Sequence, residues 1–429
     1  MRYLSRMRGI IGSLVFVLAA ASCGGGSDGD SPDAPPVTPD APAFCSRSVT
    51  PSGADDVTAV QTALIEAQPG DTVCFGAGTY TFDTELSLTV DDVTIRGVGA
   101  TRDDVIFDFA SQTSGANGVS VLDADGFTIQ DLWIRDPAGD GVRVSNGDRI
   151  VFRNVKVTWT ADGDPDNGAY ALYPVTCTNV LIEGCEIVGA SDAGIYVGQS
   201  SNVIVRMNYV HGNVAGIEIE NTTNAEVTSN HAYDNTGGIL AFNLPDLPIE
   251  DGRRTWISGN MIENNNRENF APAGNIVAFV PAGTGIMVFS TDEIEIEDND
   301  IHDNRSAGLI VGSYLSLGMP TDDESYDPYP ETIWVHDNTF AANGTQPDGI
   351  LILAGQEMLE DMIWDGQYDA AKDNSDGSLS VCLSGNGAAT FRNVNAANNF
   401  EAEGQSTDLT PHTCVHDPLP PVTLVGVGP

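Results

Sequence analysis

The stretch that decides the fold runs from residue 190 to residue 240 and reads ASDAGIYVGQSSNVIVRMNYVHGNVAGIEIENTTNAEVTSNHAYDNTGGIL. A glycine followed by alternating apolar residues occurs in it three times, at Gly194-Ile195-Tyr196-Val197, Gly216-Ile217-Glu218-Ile219 and Gly238-Ile239-Leu240. These glycines are 22 residues apart. A fixed period of this length predicts a repeat protein in which each unit packs against its neighbours.

The same pattern extends outward in both directions along the chain. Further copies begin at Gly118, Gly141, Gly285, Gly308 and Gly349, and a looser copy is Gly168-Ala169-Tyr170-Ala171. A second series of alternating apolar pairs keeps step with the glycines, at Val93/Ile95, Phe127/Ile129, Ile150/Phe152, Val180/Ile182, Val203/Val205, Ala225/Val227, Ile294/Ile296 and Ile333/Val335. Because side chains alternate along a strand, each repeat places one apolar face toward a shared core. We predict an all-β chain, a right-handed parallel β-helix of about 10–12 coils.

A column of asparagines supports this stacking. Three residues after each apolar pair stands one fixed position, which is held by Val98, Leu132, Val155, Cys185, Asn208, Asn230, Asn260, Asn299 and Asn338. Asparagines one coil apart can hydrogen-bond to one another along the stack. The later coils are therefore predicted to carry an asparagine ladder.

The two ends of the stack need covers, because an open coil exposes unpaired strand edges. Residues 52–69 predict a short capping helix, with Val57, Val60, Leu64 and Ala67 on one face and Ser52 with Asp55 as a capping box. From about residue 370 the repeat is lost. We expect the β-helix and its N-terminal cap over residues 45–369 and an irregular C-terminal cap over 370–429.

The first residues predict export. Residues 1–22 have the anatomy of a signal peptide, and Ala20-Ala21-Ser22-Cys23 resembles a lipobox in which Cys23 is acylated. The alternative is an ordinary signal peptide followed by an incidental cysteine. Residues 23–44 are rich in Pro, Asp and Gly and predict an extended linker. We expect a lipid-anchored envelope protein, on the outer membrane or cell surface with the periplasmic face also open, and no other membrane attachment.

Charge and cysteine content narrow the partners and the compartment. The chain of 429 residues has 18 Lys and Arg against 61 Asp and Glu, a net charge of −43. Such an acidic surface repels nucleic acid, and a polyanionic substrate would need calcium ions to bridge the like charges. We expect the protein to be a monomer. Six cysteines follow Cys23, and exported proteins form disulfides. Proximity favours the pairs Cys45–Cys74, Cys177–Cys185 and Cys382–Cys414.

The organisation resembles a known group of proteins. The stretches 190–200, Ala215-Gly216-Ile217-Glu218-Ile219-Glu220-Asn221 and Asn235-Thr236-Gly237-Gly238-Ile239-Leu240 are similar to those of exported, often lipoprotein, right-handed parallel β-helix repeat proteins. The resemblance covers residues 54–352 and implies the fold, and it implies no particular activity. Pectate lyases, polygalacturonases, pectin esterases and alginate epimerases are more distant; their Gly-His-Gly, Arg-x-Lys and Asp-Pro-His signatures are absent from the sequence.

Insertions predict a groove. One corner of the coil lengthens at 158–167 and 263–284, and the other lengthens at 242–254 and 312–332. Both flank the face formed by the glycine-led strands. The outward residues of that face are predicted to be Ser120, Arg143, Tyr170, Tyr196, Glu218, Leu240, Met287, Ile310 and Leu351. We expect the insertions to bury Leu240, Met287 and Ile310, and to leave Arg143, Tyr170, Tyr196 and Glu218 open.

This open row predicts a polysaccharide site, because aromatic rings and carboxylates suit sugars. The candidate catalytic residues are Arg143, Tyr170, Asp192, Tyr196 and Glu218, and the candidate substrate-binding residues are Asp140, Asn167, Tyr173, Gln199, Glu220 and Asn243. Asp192 with Glu218 would serve hydrolysis, and Arg143 with Tyr170 or Tyr196 would serve lyase or epimerase chemistry on a uronate. The alternative is a non-catalytic scaffold for another envelope protein, with these residues merely solvated.

Calcium is the cofactor that the sequence suggests. Asp162, Asp164 and Asp166 stand at alternate positions in one insertion, where carboxylates can converge on a hard cation. The alternative is a simple acidic turn. His211, His231, His302 and His336 lack metal-ligand spacing and are expected to be structural.

Overall fold

The computed structural model describes residues 42–53, 56–319, 321–354, 357–372 and 380–428. The signal peptide, Cys23 and most of the linker lie outside these residues. The chain from Pro42 onward forms one compact unit. In it, three parallel sheets wind into a β-helix, as predicted. None of the described helices has the length and apolar character needed to cross a membrane.

Each full coil contributes one strand to each sheet, and the strands counted are those of the described residues. Sheet 1 has the 12 strands Arg47–Val49, Thr72–Phe75, Thr94–Gly97, Thr128–Gln130, Asp148–Arg153, Thr178–Glu183, Ser201–Arg206, Thr223–Thr228, Arg253–Ser258, Asp292–Glu297, Ile333–His336 and Val381–Ser384. Sheet 2 has the 10 short strands Gly78–Thr81, Val105–Asp108, Trp133–Arg135, Lys156–Thr158, Glu186–Val188, Tyr209–His211, His231–Tyr233, Met261–Glu263, Asp300–His302 and Thr339–Ala341. Sheet 3, which contains the glycine-led strands, has the 11 strands Thr84–Leu88, Ser114–Leu122, Asp140–Ser145, Tyr170–Val175, Ala193–Gly198, Ala215–Glu220, Gly237–Phe242, Thr284–Phe289, Ala307–Gly312, Met362–Trp364 and Phe391–Asn393.

The core is a continuous column of inward side chains. Ile195, Ile217, Ile239 and Ile286 face one another on consecutive strands of sheet 3, and each is fully buried. Burying such a side chain contributes about 1.5–3 kcal/mol. The alternating pairs of sheet 1 are buried in the same way, so the predicted period sets the packing.

Glycine is the second residue of the central strands of sheet 3 for a steric reason. A Cβ on Gly216 would lie 2.5 Å from the carbonyl oxygen of Gly238, and one on Gly238 would lie 2.6 Å from that of Gly285. The coils are therefore in backbone contact at this corner, and only glycine fits.

The asparagine ladder is confirmed. The Nδ2 of Asn230 donates to Oδ1 of Asn260 at 3.0 Å, and that of Asn260 donates to Asn299 at 2.9 Å. The ladder starts at Asn208 and ends at Asn386. A second ladder, absent from the sequence analysis, comprises Asn213, Asn235, Asn265, Asn304 and Asn343. The two ladders satisfy buried backbone groups at both ends of the sheet 2 strands.

The capping helix spans Val57–Ile65 and buries Val60 and Leu64, as predicted. Its N-cap is Asp56, so the predicted capping box on Ser52 is wrong; Asp55 lies outside the described residues. Asp56 instead accepts the backbone N–H of Ser52 at 2.7 Å and that of Thr81 at 2.9 Å. The side chain thus ties the cap to the first coil.

Six short 3-10 helices lie in the connections and the C-terminal region of the described chain. They are Arg102–Asp104, Ile276–Phe279, Tyr314–Leu317, Gly349–Ala354, Ala396–Asn398 and Thr410–His412. The predicted boundary at residue 369 is too early, since the strands Val381–Ser384 and Phe391–Asn393 still belong to the sheets.

The end of the chain returns along the outer face of sheet 1. The backbone N–H of Leu419 donates to Oε2 of Glu295 at 2.6 Å, and that of Val422 donates to Oε1 of Glu226 at 2.5 Å. Charged acceptors make strong hydrogen bonds. The tail is therefore held to the coils by outward carboxylates.

Two of the three expected disulfides are present. Cys45–Cys74 ties the N-terminus to the first coil, and Cys382–Cys414 ties the last strand of sheet 1 to the tail. The predicted Cys177–Cys185 pair is wrong, because both residues carry free, buried thiols. The six-residue strand Thr178–Glu183 separates them. At about 3.3 Å per residue it holds them far beyond bonding distance.

Candidate functional site

The candidate site is a column of side chains on the outer face of sheet 3. Tyr196 lies opposite Glu218, and Glu218 lies opposite Leu240. The column continues through Met287 and Ile310 to Ile363. On the other side, Arg143 lies opposite Tyr173. Charged and aromatic residues therefore occupy one half of the column, and apolar residues occupy the other.

Two predicted members of this column are wrong. Tyr173 occupies the position assigned to Tyr170, because Val142 pairs with Leu172 and the strand begins only at Tyr170. The insertion before Gly168 shifts the register, so counting from that glycine fails. Leu351 is also absent from the column, since Gly349–Ala354 is a 3-10 helix and Ile363 takes the place.

Tyr170 still reaches the site by packing. Its ring centroid lies 4.7 Å from that of Tyr173 and 4.4 Å from that of Tyr196. The rings of Tyr173 and Tyr196 meet edge to face at 4.9 Å. Such aromatic contacts add about 0.5–1.5 kcal/mol each beyond burial. The three tyrosines form one rigid group, which we call the tyrosine cluster.

The prediction that Arg143, Tyr170, Tyr196 and Glu218 are open is wrong for Tyr196 and Glu218. Tyr196 is 5% exposed and Glu218 is 1% exposed; Asp192, Gln199, Glu220 and Asn243 are also buried. Residues 264–283, which we call the lid, extend over the column, and Asn275 of the lid donates to Oδ2 of Asp192 at 3.0 Å. Arg143, Asp140, Tyr170 and Tyr173 remain half-buried. Access to the site therefore lies on their side.

The expected satellite core is confirmed by the burial of Leu240 and Ile310, whereas Met287 is only half-buried. Val277 and Val280 of the lid pack in one cluster with Leu240, Phe289 and Tyr196. Ile310 belongs to a second such cluster, with Leu351 and Ile363. The lid thus has its own apolar attachment beside the tyrosine cluster.

Glu218 is the most perturbed acid of the site. Burial and the nearby charges of Asp192 and Glu220 raise its pKa well above the usual 4.5. Its Oε1 is buried and has no hydrogen-bond partner within the described residues. A buried, unpaired acceptor costs stability and points to a functional role. Burial and its acidic neighbours therefore favour the protonated form of this side chain.

Two further acids titrate near neutrality. Burial raises the pKa of Asp192 to about 7, against the hydrogen bond from Asn275. Burial also raises the pKa of Glu220 to about 7, although Tyr196 and Gln199 lower it. The Tyr196 hydroxyl donates to Oε1 of Glu220 at 2.8 Å, and Gln199 Nε2 donates to the same oxygen at 3.0 Å. These acids can exchange protons at physiological pH.

We call the half-buried side of the site, formed by Asp140, Arg143, Tyr170 and Tyr173, the entrance. Arg143 is the one basic side chain among the described residues of the site. The guanidinium of Arg143 lies 4.9 Å from the ring centroid of Tyr173, a cation–π contact. Next to it, burial raises the pKa of Asp140 to about 6, and Arg143 opposes that rise. Asp140 also accepts the backbone N–H of Tyr170 at 3.2 Å.

Two predicted binding residues lie elsewhere. Asn167 uses its Nδ2 to donate to the carbonyls of Ala161 and Gly189, both at 2.7 Å, and so stabilises a loop. Asn243 donates to the carbonyl of Gly252 at the opposite corner of the coil. Asn275, in contrast, reaches Asp192 and was not predicted. No signal in the sequence marks it, because its position depends on how a non-repeating insertion folds.

The acidic turn at residues 162–166 and His336 form hydrogen bonds and ion pairs within the protein. Asp162 pairs with Arg267 of the lid at 2.7 Å, and Asp164 accepts the backbone N–H of Asp166 at 3.0 Å. Calcium in this turn stays a prediction. One group within the described ranges, Glu295, Glu297 and His336, has ligand atoms close enough to hold a metal ion. Glu295 already accepts the N–H of Leu419, and Glu297 accepts the indole N–H of Trp256 at 2.9 Å.

Comparison with known proteins supports the fold. Residues 117–247 match the family model described as a right handed beta helix region. Two similar structures are A-modules of mannuronan C-5 epimerases from Azotobacter vinelandii. AlgE4 superposes with a TM-score of 0.54 and 16% identity, over 77% of this chain and 91% of that one. AlgE6 superposes with a TM-score of 0.55 and 14% identity, over 78% and 91%.

A looser similarity is to an exopolygalacturonase from Thermotoga maritima. It has a TM-score of 0.40 and 11% identity, and the match covers 70% of this chain and 88% of that one. No curated protein matches the chain by sequence. At these identities the likeness shows the fold alone.

Proposed function

We propose that this chain binds and hydrolyses a polysaccharide at the carboxyl groups beside the tyrosine cluster. The observation that carries the proposal is Glu218, a buried carboxylic acid with an unpaired oxygen between two acids whose pKa values lie near 7. Carboxyl groups held at different protonation states are what acid–base cleavage of a glycosidic bond requires. Glu218 is the proton donor, and Asp192 or Glu220 is its ionised partner.

The entrance side supplies the sugar contacts. The half-buried rings of Tyr170 and Tyr173 present apolar faces to the C–H groups of a sugar, and Arg143 and Asp140 offer a donor and an acceptor for hydroxyl groups. Neighbouring coils are about 4.8 Å apart. A row from Arg143 to Glu218 crosses three coil steps, about 14 Å, which is comparable to the length of a short oligosaccharide.

Charge favours a neutral or amino-sugar glycan over a polyuronate. Asp140, Asp192, Glu218 and Glu220 lie around the site, and Arg143 is their cationic neighbour. A uronate carboxylate would be repelled here, and the net charge of −43 adds to that repulsion. Hydrolysis is therefore favoured over the uronate chemistry of a lyase or an epimerase. The two A-modules are named as mannuronan epimerases, and this likeness supports a carbohydrate-related role.

The test is turnover of a panel of free neutral, amino-sugar and uronic-acid oligosaccharides. New reducing ends measure hydrolysis, and absorbance at 235 nm measures elimination. We expect reducing ends from a neutral or amino-sugar glycan, with a loss of about 10²–10⁴-fold in Glu218→Gln. The matched control is Glu324→Gln, which makes the same change at an exposed position.

Two results would contradict this proposal. Unsaturated products from a uronate that persist in Glu218→Gln but vanish in Arg143→Ala would assign lyase chemistry. No binding or turnover of any glycan, with a protein captured by crosslinking in its place, would assign a scaffold for another envelope protein.

We further propose that the protein is anchored to the cell envelope through acylated Cys23. The support is the lipobox-like sequence before Cys23 and the Pro-rich linker up to residue 44. Metabolic labelling with an alkyne fatty acid should tag the full-length chain and fail to tag Cys23→Ser. Equal labelling of both chains would contradict the anchor.

A further inference from the structure

An apolar cavity of about 370 Å³ lies beyond the candidate site on the same face of sheet 3. Its floor is made by Met287, Ile310 and Ile363, which are consecutive members of the outward column. Phe279 and Pro281 of the lid form one wall. Ligand cavities are commonly of this size and are mainly apolar.

The mouth of the cavity is apolar as well. Phe279 of the lid is 50% exposed and Ile350 is 41% exposed, and both line the cavity. Exposing large apolar side chains to water costs free energy, and an exposed apolar patch often marks a binding site. A ligand with an apolar chain would cover them.

One buried acid lies in the cavity wall, and it is fully paired. Oδ2 of Asp365 accepts the backbone N–H of Ser313 at 2.7 Å and the hydroxyl of Ser316 at 2.6 Å, and Oδ1 accepts the N–H of Gln367 at 2.9 Å. Asp365 therefore holds the 3-10 helix Tyr314–Leu317 in place. Both carboxylate oxygens of Asp365 are thus occupied, and this side chain offers the cavity no unpaired acceptor.

The cavity and the candidate site lie on the same face of sheet 3 under the same lid, and the buried side chain of Leu240 separates them. Between Glu218 and Met287 the column has one member, Leu240. Above Leu240 lies a narrow gap of about 30 Å³, which shares Phe279, Met287, Phe289 and Leu317 with the larger cavity. Glu218 and Ile310 are three coil steps apart, which is about 14 Å. The same lid thus covers the acids, the gap and the cavity.

We propose that the substrate is a glycolipid, whose sugar lies at Glu218 and whose alkyl or acyl chain enters the cavity over Met287 and Ile310. This inference rests on the proposed function and adds the class of its substrate. The change of the column from charged to apolar within one coil step, under one lid, matches a molecule with a polar head and an apolar tail.

The test is binding of methyl, butyl and octyl β-glucosides, below their micellar concentrations, by calorimetry. Each methylene that is fully buried should tighten binding by up to about fourfold. Ala278 lies at the exposed edge of the lid and lines the cavity, so Ala278→Trp obstructs the mouth without disturbing the core. The matched control is Ala388→Trp, at an exposed position outside the cavity.

We expect the binding affinity to increase with the length of the alkyl chain in the wild-type protein and in Ala388→Trp. This increase should be lost in Ala278→Trp. Equal affinity for all three glucosides, or a gain that survives in Ala278→Trp, overturns the inference. If 1-octanol binds as tightly as octyl glucoside, the sugar makes no contribution and the glycolipid assignment is also overturned. Turnover of free oligosaccharides that depends on Glu218, in a protein with no chain-length effect, would leave the proposed function standing and remove only this inference.

Discussion

Tyr196 and Glu218 are 22 residues apart in the chain and lie directly opposite each other on neighbouring strands of sheet 3. Both side chains point out of the β-helix, and both are nevertheless buried, at 5% and 1% exposure. The lid accounts for that burial. An outward face of a solenoid is ordinarily solvated, so a covered pair of a phenol and a carboxylic acid is the feature that separates this face from the other two.

Stability should fall as pH rises from about 4 to about 8. The folded-state pKa of Asp192 is about 7 against 3.8 in the unfolded chain, so the folded state holds the proton more tightly. The stabilising contribution of Asp192 to the free energy of unfolding is complete at pH values below its pKa in the unfolded chain. It is lost as the pH rises through its pKa in the folded protein. Asp192→Asn should therefore raise the melting temperature at pH 8, by about 1 °C per kcal/mol recovered in a unit of this size, and change it little at pH 5.

Differential scanning calorimetry at both pH values measures this effect. The control is Asp322→Asn, which removes an exposed carboxylate and reports the general effect of the acidic net charge. An equal loss of stability in Asp192→Asn at pH 5 and pH 8 would mean that the hydrogen bond to Asn275 outweighs the burial of the charge.

Tyr196→Phe should move the pH dependence of activity. The Tyr196 hydroxyl lowers the pKa of Glu220 through their 2.8 Å hydrogen bond. Without it that pKa rises, and the limb of the pH–rate profile that reports Glu220 should move up by about one pH unit. Tyr209→Phe, at a side chain that is 55% exposed, is the control. An unmoved limb with an ordinary loss of rate would show that Glu220 takes no part in proton transfer.

Asn260→Ala should destabilise the whole stack. Oδ1 of Asn260 accepts the backbone N–H and the Nδ2 of Asn230, and its own Nδ2 donates to the carbonyl of Val227. Alanine leaves these buried groups unpaired at a cost of about 1–3 kcal/mol each. Urea denaturation measures the loss. Asn398→Ala, at an exposed position outside the ladders, should change the free energy of unfolding by less than about 0.5 kcal/mol.

Cys177 and Cys185 should resist alkylation in the folded protein. Burial raises the pKa of the Cys177 thiol to about 11 and that of Cys185 to about 12. At pH 8 only about one in a thousand Cys177 side chains would be in the reactive thiolate form, even if the reagent could reach it. Iodoacetamide followed by peptide mapping should label neither residue in the folded state and both after unfolding without reductant. A Cys177–Cys185 crosslinked peptide would contradict the free thiols.

The sequence was sufficient to predict the repeating coil and the disulfides at the two ends of the β-helix. It predicted the residues of the candidate site only in part. Ile195, Ile217 and Ile239 recur at a constant spacing, so their mutual contact follows from the period alone. The pairs Cys45–Cys74 and Cys382–Cys414 were predicted by proximity, and the same reasoning failed for Cys177 and Cys185 because a rigid strand lies between them. Tyr173 was missed in the column because an insertion had shifted the register.

By itself, the sequence determined that about two dozen residues make one coil, that apolar side chains stack inside it, and that asparagines form a ladder. These follow because each coil contacts only its neighbours, so position in the period decides position in space. Only the tertiary structure decided that Glu218 is buried, that Asn275 contacts Asp192, and that a cavity lies over Met287 and Ile310. The lid has no period, and its path depends on contacts with distant residues that no local pattern encodes.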